Sequence, residues 1–478
     1  MIYAYALAIA LSGSPKVQDS APFLSPMFGS HMVLQRDRAN NFWGWAPTDQ
    51  KITVKIANHT WSTTAKDGRW DVKFNPPPVG GPYTVEIDGP SHVELDDVLV
   101  GDVWICSGQS NMEFGVGNLA NPKEEISAAD HPTMRLFVVK DTASVAPLTT
   151  VTGTWNVCSP DTITQGMWNG FSAVGYFFGR ELNEKLKIPI GLIQTSWGGT
   201  PAEAWTSEQS LRPLNDFDKT LDLIDAQATA KAPVDDKLIH NQNAPSELYN
   251  GMIAPVAPIA IKGAIWYQGE SNVGRAAQYQ RLLPTMIDDW RKTWREGNFP
   301  FMIVQIANFS TRHPDPVDDP WADLRESQAL TVQREKNTGL AVTIDIGEEK
   351  DIHPKNKVDV GRRLALAALH VAYKENVVYS GPVYRSEKQD NGQLVISFNH
   401  TEGGLKATDL TDNFQIAGDD HKYYWADAKI VGNTVVLSSP SVPHPTDARY
   451  AWDANPLAGL YNGANLPAVP FRTEPPPH

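Results

Sequence analysis

The sequence predicts an α/β protein, a layered sheet with β-rich regions at both ends, and three changes of rhythm along its 478 residues carry that prediction. From about 23 to 97, short alternating stretches are separated by Asp67-Gly68, Pro76-Pro77-Pro78 and Gly80-Gly81-Pro82, as expected of half-buried strands joined by turns. From 98 to about 373, apolar runs alternate with helical stretches such as 173–186 and 277–294, the signature of helices packed on a mostly parallel sheet. After Asn376 the pattern returns to β. The expected divisions are 1–20, a leader-like segment; 21–97, a β module; 98–376, the α/β domain; and 377–478, a β-rich region.

The elements follow in order. Residues 2–11 form an apolar run too short to span a bilayer. With Ser12-Gly13-Ser14 after it, the run reads as the core of an export signal, although it lacks a basic start. Secretion or a periplasmic location is the expectation. Within 21–97 the segments 51–56, 70–74 and 83–87 alternate as strands. The run 98–105 is apolar and β-branched without alternation, which marks a strand buried on both faces. Pro284 is expected to kink the helix at 277–294. The alanine-rich, charged stretch 226–243 reads as an insertion. Near the end, 394–398 is a strand, and Gly432-Asn433 between two apolar β runs signals a hairpin. The tail 474–478 is expected to be extended.

Chemistry concentrates where predicted strands end. The first run breaks into Ser107-Gly108-Gln109-Ser110-Asn111-Met112, a glycine turn with a serine at its tip. Gly108 allows the tight path that exposes a hydroxyl at the carboxyl end of a strand. An ordinary turn with Ser110 capping a helix accounts for the same stretch. Met112 stands where a Gly-x-Ser-x-Gly elbow would have its second glycine, so that geometry is excluded. A serine needs a base. The run 340–346 reads as a strand followed by a loop with Asp351 and His353, and a helix begins near Asn356. Asp351 and His353, two apart in an extended loop, project to one side, so the carboxylate could hold the imidazole in one tautomer. The strand 260–267 ends in Gln268-Gly269-Glu270-Ser271-Asn272, and 190–195 ends in Ser196-Trp197-Gly198-Gly199-Thr200. The amides of Gln268 or Asn272 and the N–H groups of the glycines are candidate donors to an oxyanion. Each loop alone also reads as a turn or a cap.

Together these stretches resemble, in order and wording, the sialate O-acetylesterase family within the SGNH hydrolase superfamily. The likeness rests on Gly108-Gln109-Ser110-Asn111-Met112 and Trp266-Tyr267-Gln268-Gly269-Glu270-Ser271-Asn272. It extends to Met32-Val33-Leu34-Gln35, Glu203-Ala204-Trp205, Arg449-Tyr450-Ala451-Trp452 and Asn465-Leu466-Pro467. The resemblance implies an SGNH-type, flavodoxin-like three-layer sheet domain. It implies a serine carboxylic-ester hydrolase with Ser110 as nucleophile and His353 as general base. The N–H groups of Ser110 and of Gly198 or Gly199, with the Gln268 amide, would form the oxyanion hole. Superfamily members place the triad acid three residues before the histidine, where this chain has Lys350. Asp351 is displaced by one, which leaves a dyad, or an acid from Asp345, Glu348 or Glu270, open.

Composition sets the remaining bounds. A formal net charge of −14 offers no basic footprint for nucleic acid or an anionic membrane, and it disfavours a strongly anionic substrate. Two cysteines, Cys106 and Cys158, make no disulfide framework, and the absence of a compact ligand cluster predicts neither metal nor other cofactor. Among 15 tryptophans, Trp197, Trp205 and Trp452 are the candidates for a sugar-binding wall. The expected function is hydrolysis of acetyl esters on a carbohydrate, sialate or plant glycan, through an acyl-serine. The competing reading is a glycan-binding protein that keeps the hydrolase fold without its chemistry.

Overall fold

The computed structural model describes residues 22–229 and 239–475. The leader-like segment 1–20, half of the stretch 226–243 (residues 230–238) and the last three residues of the tail lie outside them. The organising element is the 17-residue strand His92–Gly108. Its first half alternates between exposed and buried positions, and from Val98 onward every residue is buried. That change of pattern follows a change of surroundings. The first half lies in an antiparallel β region with Gly80–Asp88, which pairs in turn with Lys51–Ile56. The second half is the middle strand of a parallel sheet.

That sheet runs Thr338–Ala341, Phe301–Val304, Gly263–Tyr267, His92–Gly108, Ile190–Ser196, His131–Val138, Trp155–Cys158, parallel except for the last pair. The two β regions are therefore one sheet, and the division expected at 97/98 falls inside a single strand. The protein has an α/β architecture with a central mixed sheet and added β-rich regions.

Each face of the sheet has its own apolar core. Val103, Ile105, Trp266 and Ile303 pack with the helix Ala276–Trp294 on one side. Trp104, Cys106, Ile265 and Met302 pack on the other with the helices Ala173–Leu186 and Lys357–Val371. Successive strand residues point to opposite faces, so a strand covered on both must be apolar throughout. This explains the unbroken runs in the sequence. Pro284 is accommodated within Ala276–Trp294, which continues past it. Both cysteines are free and buried.

Beyond the sheet, Val383–Asp390, Gln393–Asn399, Thr434–Ser438 and Asp427–Val431 form a four-stranded antiparallel sheet. The hairpin at Gly432-Asn433 is present, with Gly432 at φ 61°. Two segments differ from expectation. The strand predicted over 340–346 ends at Ala341, and Asp345 beyond it is gripped by the Arg363 guanidinium at 2.6 and 2.7 Å. Of the expected insertion, 226–229 close the helix Asp218–Thr229, and Ile239 packs with Ile224 and Ala244.

Candidate active site

Parallel register brings three loops to one level. Gly108 is paired with Ser196 on one side and Tyr267 on the other, so the segments beginning at Gln109, Trp197 and Gln268 leave the sheet from the same row. Open α/β sheets bind ligands at this edge. Gly108 has φ 144°, and a Cβ there would lie 2.1 Å from the Tyr267 carbonyl oxygen, so only glycine fits. The chain turns at once into the short helix Ser110–Glu113. Its N-cap is Gln109, which makes no side-chain cap bond, and the Ser110 hydroxyl is not used as a cap.

Ser110 Oγ instead lies 2.9 Å from His353 Nε2. The imidazole arrives on the loop before the helix Lys357–Val371, which is capped by Asn356. Burial, then the charge of Lys357, hold its pKa below the ordinary histidine value, and Asp351 opposes them. A neutral imidazole in contact with a serine hydroxyl is a general base in place.

Asp351 is beside the histidine but does not bond its ring. Its Oδ1 accepts the His353 backbone N–H at 2.9 Å and stands 3.7 Å from Nδ1, beyond hydrogen-bond range. The other carboxylates considered are committed elsewhere. Asp345 is held by Arg363, Glu348 Oε1 accepts the Lys355 N–H at 3.0 Å, and Glu270 Oε1 accepts from Asn111 Nδ2 at 2.6 Å.

The expected oxyanion donors divide. The helix Ser110–Glu113 begins with N–H groups that have no intrahelical acceptor, Ser110's among them. Gly198 lies against Ser110: a Cβ on it would sit 3.4 Å from Ser110 Cβ and 2.9 Å from Glu113 Oε2. Its N–H faces the Glu113 carboxylate, which burial pushes up. Gly199, at φ 74°, has open space beside it. Gln268 does not reach this space. It is fully buried, its Nε2 donates to the Thr200 carbonyl at 3.2 Å and to Asn272 Oδ1 at 2.6 Å, and its Oε1 accepts from the Tyr279 hydroxyl. Asn272 is likewise spent, on Ala202 N and Glu203. Both amides tie loops together.

Two of the three expected wall tryptophans are core residues. Trp205 is fully buried, donates to Thr200 Oγ1 and meets the edge of Trp266. Trp452 is 1% exposed, with the guanidinium groups of Arg449 and Arg472 packed over its ring. Trp197 is partly buried beside the glycines. The aromatic ring that does reach the Ser110–His353 pair is Trp168, 38% exposed, edge-on to His353 with centroids 4.8 Å apart. The sequence marks it only by its setting between Gly166 and Gly170. Asp141, beyond the end of His131–Val138, was also not anticipated. Burial and the nearby Glu113 charge push its carboxyl up to about 7, and its buried Oδ1 has no partner among the described residues.

Residues 100–370 match the family described as carbohydrate esterase, sialic acid-specific acetylesterase. The chain belongs to that family. Human sialate O-acetylesterase is 31% identical over 92% of this chain and 90% of its own length, and the mouse protein of that name is 29% identical over 92% of each. A crystal structure of a carbohydrate acetylesterase from Xanthomonas citri superposes with a TM-score of 0.84 at 37% identity, covering 94% of this chain and 99% of that one. The chain is thus a carbohydrate O-acetylesterase, a carboxylic-ester hydrolase, and the resemblance read from the strand-end motifs is borne out.

Proposed function

We propose that this esterase works through an acetyl-serine intermediate formed on Ser110, on an SGNH-type, flavodoxin-like three-layer domain. The 2.9 Å contact between Ser110 Oγ and His353 Nε2 carries the reading. Oγ attacks the acetyl carbonyl while its proton passes to Nε2. The negative oxygen of the tetrahedral intermediate is received by the N–H groups of Ser110 and of Gly198 or Gly199. As the C–O bond to the sugar breaks, His353 returns the proton to the leaving alkoxide. Water then attacks the acetyl-serine, giving up its proton to His353, and acetate departs with Ser110 restored. Asp351 supports the imidazolium electrostatically. Ser110→Ala and His353→Ala test this by acetate release. Each should lose at least about 10³-fold in kcat, and retained activity in either removes the acyl-serine route.

Of the two substrate classes, a neutral acetylated glycan fits better than sialate. Glu113 lies beside the nucleophile, Asp141 is within its field, and the chain carries a net charge of −14, all unfavourable to a sugar carboxylate. Trp197 and Trp168 would receive the apolar face of the sugar ring. Acetate release from acetylated xylan, xyloglucan and O-acetylated sialic acid separates the classes, and preference for the sialic acid overturns this choice. The apolar start at 2–11 favours an exported protein, checked by whether the mature N-terminus begins beyond it.

A further inference from the structure

A buried polar chain lies directly beneath the nucleophile, and the mechanism above makes no use of it. Lys357 is the first residue of its helix and fully buried. Its Nζ donates to Asn111 Oδ1 at 2.6 Å and otherwise faces the rings of Phe114 and Tyr267 at 4.7 and 5.3 Å. Among the described residues no carboxylate stands within ion-pair distance of it. A cation at the amino end of a helix opposes the helix dipole, and burial adds to the cost. The Asn111 amide then spends both hydrogens, one on Glu270 Oε1 at 2.6 Å and one on the Ile352 carbonyl at 3.0 Å. Glu270 Oε2 is closed off from solvent and has no partner among the described residues. Two costly features therefore meet at one asparagine.

That asparagine touches both halves of the dyad. Asn111 follows Ser110 in sequence, and Ile352 precedes His353. One side chain therefore sets the spacing between the two reacting groups, and Lys357 and Glu270 fix which way its amide points. We propose that Lys357, Asn111 and Glu270 form a positioning unit that holds His353 against Ser110. The proposal rests on Ser110 and His353 being the reacting pair.

The same residues set the charge around the imidazole, which gives the positioning unit an electrostatic role that can be read separately. Asp351, from its own loop, favours the charged ring, and Lys357, from the helix, disfavours it. Lys357 feels the more distant charges of Glu270, Asp351 and Glu348, all of which favour its ammonium, while burial brings its pKa down to about 7. Burial also pushes Glu270 up, against Asn111 and Lys357. Removing the lysine charge must let His353 protonate more readily, so the acid side of the rate profile should move to higher pH.

The test is the pH profile of 4-nitrophenyl acetate hydrolysis by Lys357→Met, Lys357→Gln and Asn111→Ala, alongside Ser110→Ala and His353→Ala. Lys357→Met should lower kcat about tenfold or more with KM within about twofold, since a small displacement of reacting groups is costly. Its acid limb in kcat/KM should rise by about half a pH unit or more. Lys357→Gln, which can still donate to Asn111, should show the same shift with a smaller loss in kcat. Asn111→Ala should lose kcat without needing to move the limb. An unmoved acid limb in both lysine variants overturns the electrostatic role, and an unchanged kcat in Lys357→Met and Asn111→Ala overturns the positioning role. If none of the three variants folds, by circular dichroism, the chain is structural and the proposal fails. Activity retained by Ser110→Ala or His353→Ala is a different result, because it removes the reacting pair itself.

Discussion

Asp351→Asn separates a triad from a dyad supported by a distant charge. The substitution keeps an Oδ1 that accepts the His353 backbone N–H and removes only the charge 3.7 Å from Nδ1. At that separation two unit charges interact by about 1 kcal/mol in a water-like medium and about 4 kcal/mol at an effective dielectric of 20. The Asp351 side chain is 45% exposed, so solvent screening places the interaction near the lower figure. A loss of ~1 kcal/mol of imidazolium stabilisation is about fivefold in kcat, against roughly 10⁴ for a buried triad aspartate bonded to its histidine. Removing the carboxylate also removes the one influence that raises the His353 pKa, so the acid limb should move to lower pH. Steady-state kinetics with 4-nitrophenyl acetate across the acid range reads both quantities. A loss of about 10³-fold or more refutes the reasoning, because it requires Asp351 to bond Nδ1 directly during the reaction.

Four further outcomes are expected. In the parent enzyme the acid limb of kcat/KM should have its midpoint below about 6.5, since the base works unprotonated and its pKa is held down; a midpoint above that value contradicts a base whose pKa is lowered by burial and by the Lys357 charge. Gly108→Ala should destabilise by about 2–5 kcal/mol in urea unfolding and lower kcat about 10²-fold, because a Cβ cannot sit 2.1 Å from the Tyr267 oxygen without displacing the serine turn; Gly199→Ala, with open space at a positive φ, should cost no more than about 1–2 kcal/mol. Trp168→Ala should raise KM for acetylated oligosaccharides about threefold to thirtyfold while changing KM for 4-nitrophenyl acetate little; equal effects on both would assign the indole to packing His353.

The elements of the fold were legible where local pattern and tertiary setting agree. The helices at Ala173–Leu186 and Ala276–Trp294 and the hairpin at Gly432-Asn433 stand as read, because periodicity and turn chemistry are local properties. The continuity of the sheet was not legible. Before Val98 the strand His92–Gly108 alternates and after it does not, which in sequence looks like two elements meeting at a boundary. Only the partners on either side show one strand passing from an antiparallel region into a parallel one. The run 340–346 failed for a related reason. It is apolar like a strand, but Asp345 is drawn off the sheet by Arg363, 18 residues away on a helix.

At the site, the Ser110–His353 contact was legible and the fate of the side-chain amides was not, and the difference lies in what fixes each group. Ser110 is exposed by a turn whose one demanding position, Gly108, is two residues away, so its presentation is written locally. Gln268 carries the right chemistry at the right strand end. Its fate is decided by Thr200, Asn272 and Tyr279, which come from another loop, its own loop and a helix. A polar side chain at such an edge can serve a substrate or bind neighbouring loops, and full burial with all its hydrogens spent selects the second. The same criterion applied to Asn111 gives the same answer with a different consequence. Its amide is as completely spent as that of Gln268, but its partners are the carbonyl next to His353 and a buried lysine, so the bonds that bind it to its neighbours also set the spacing of His353 and Ser110, the distance over which the proton moves in the mechanism we propose.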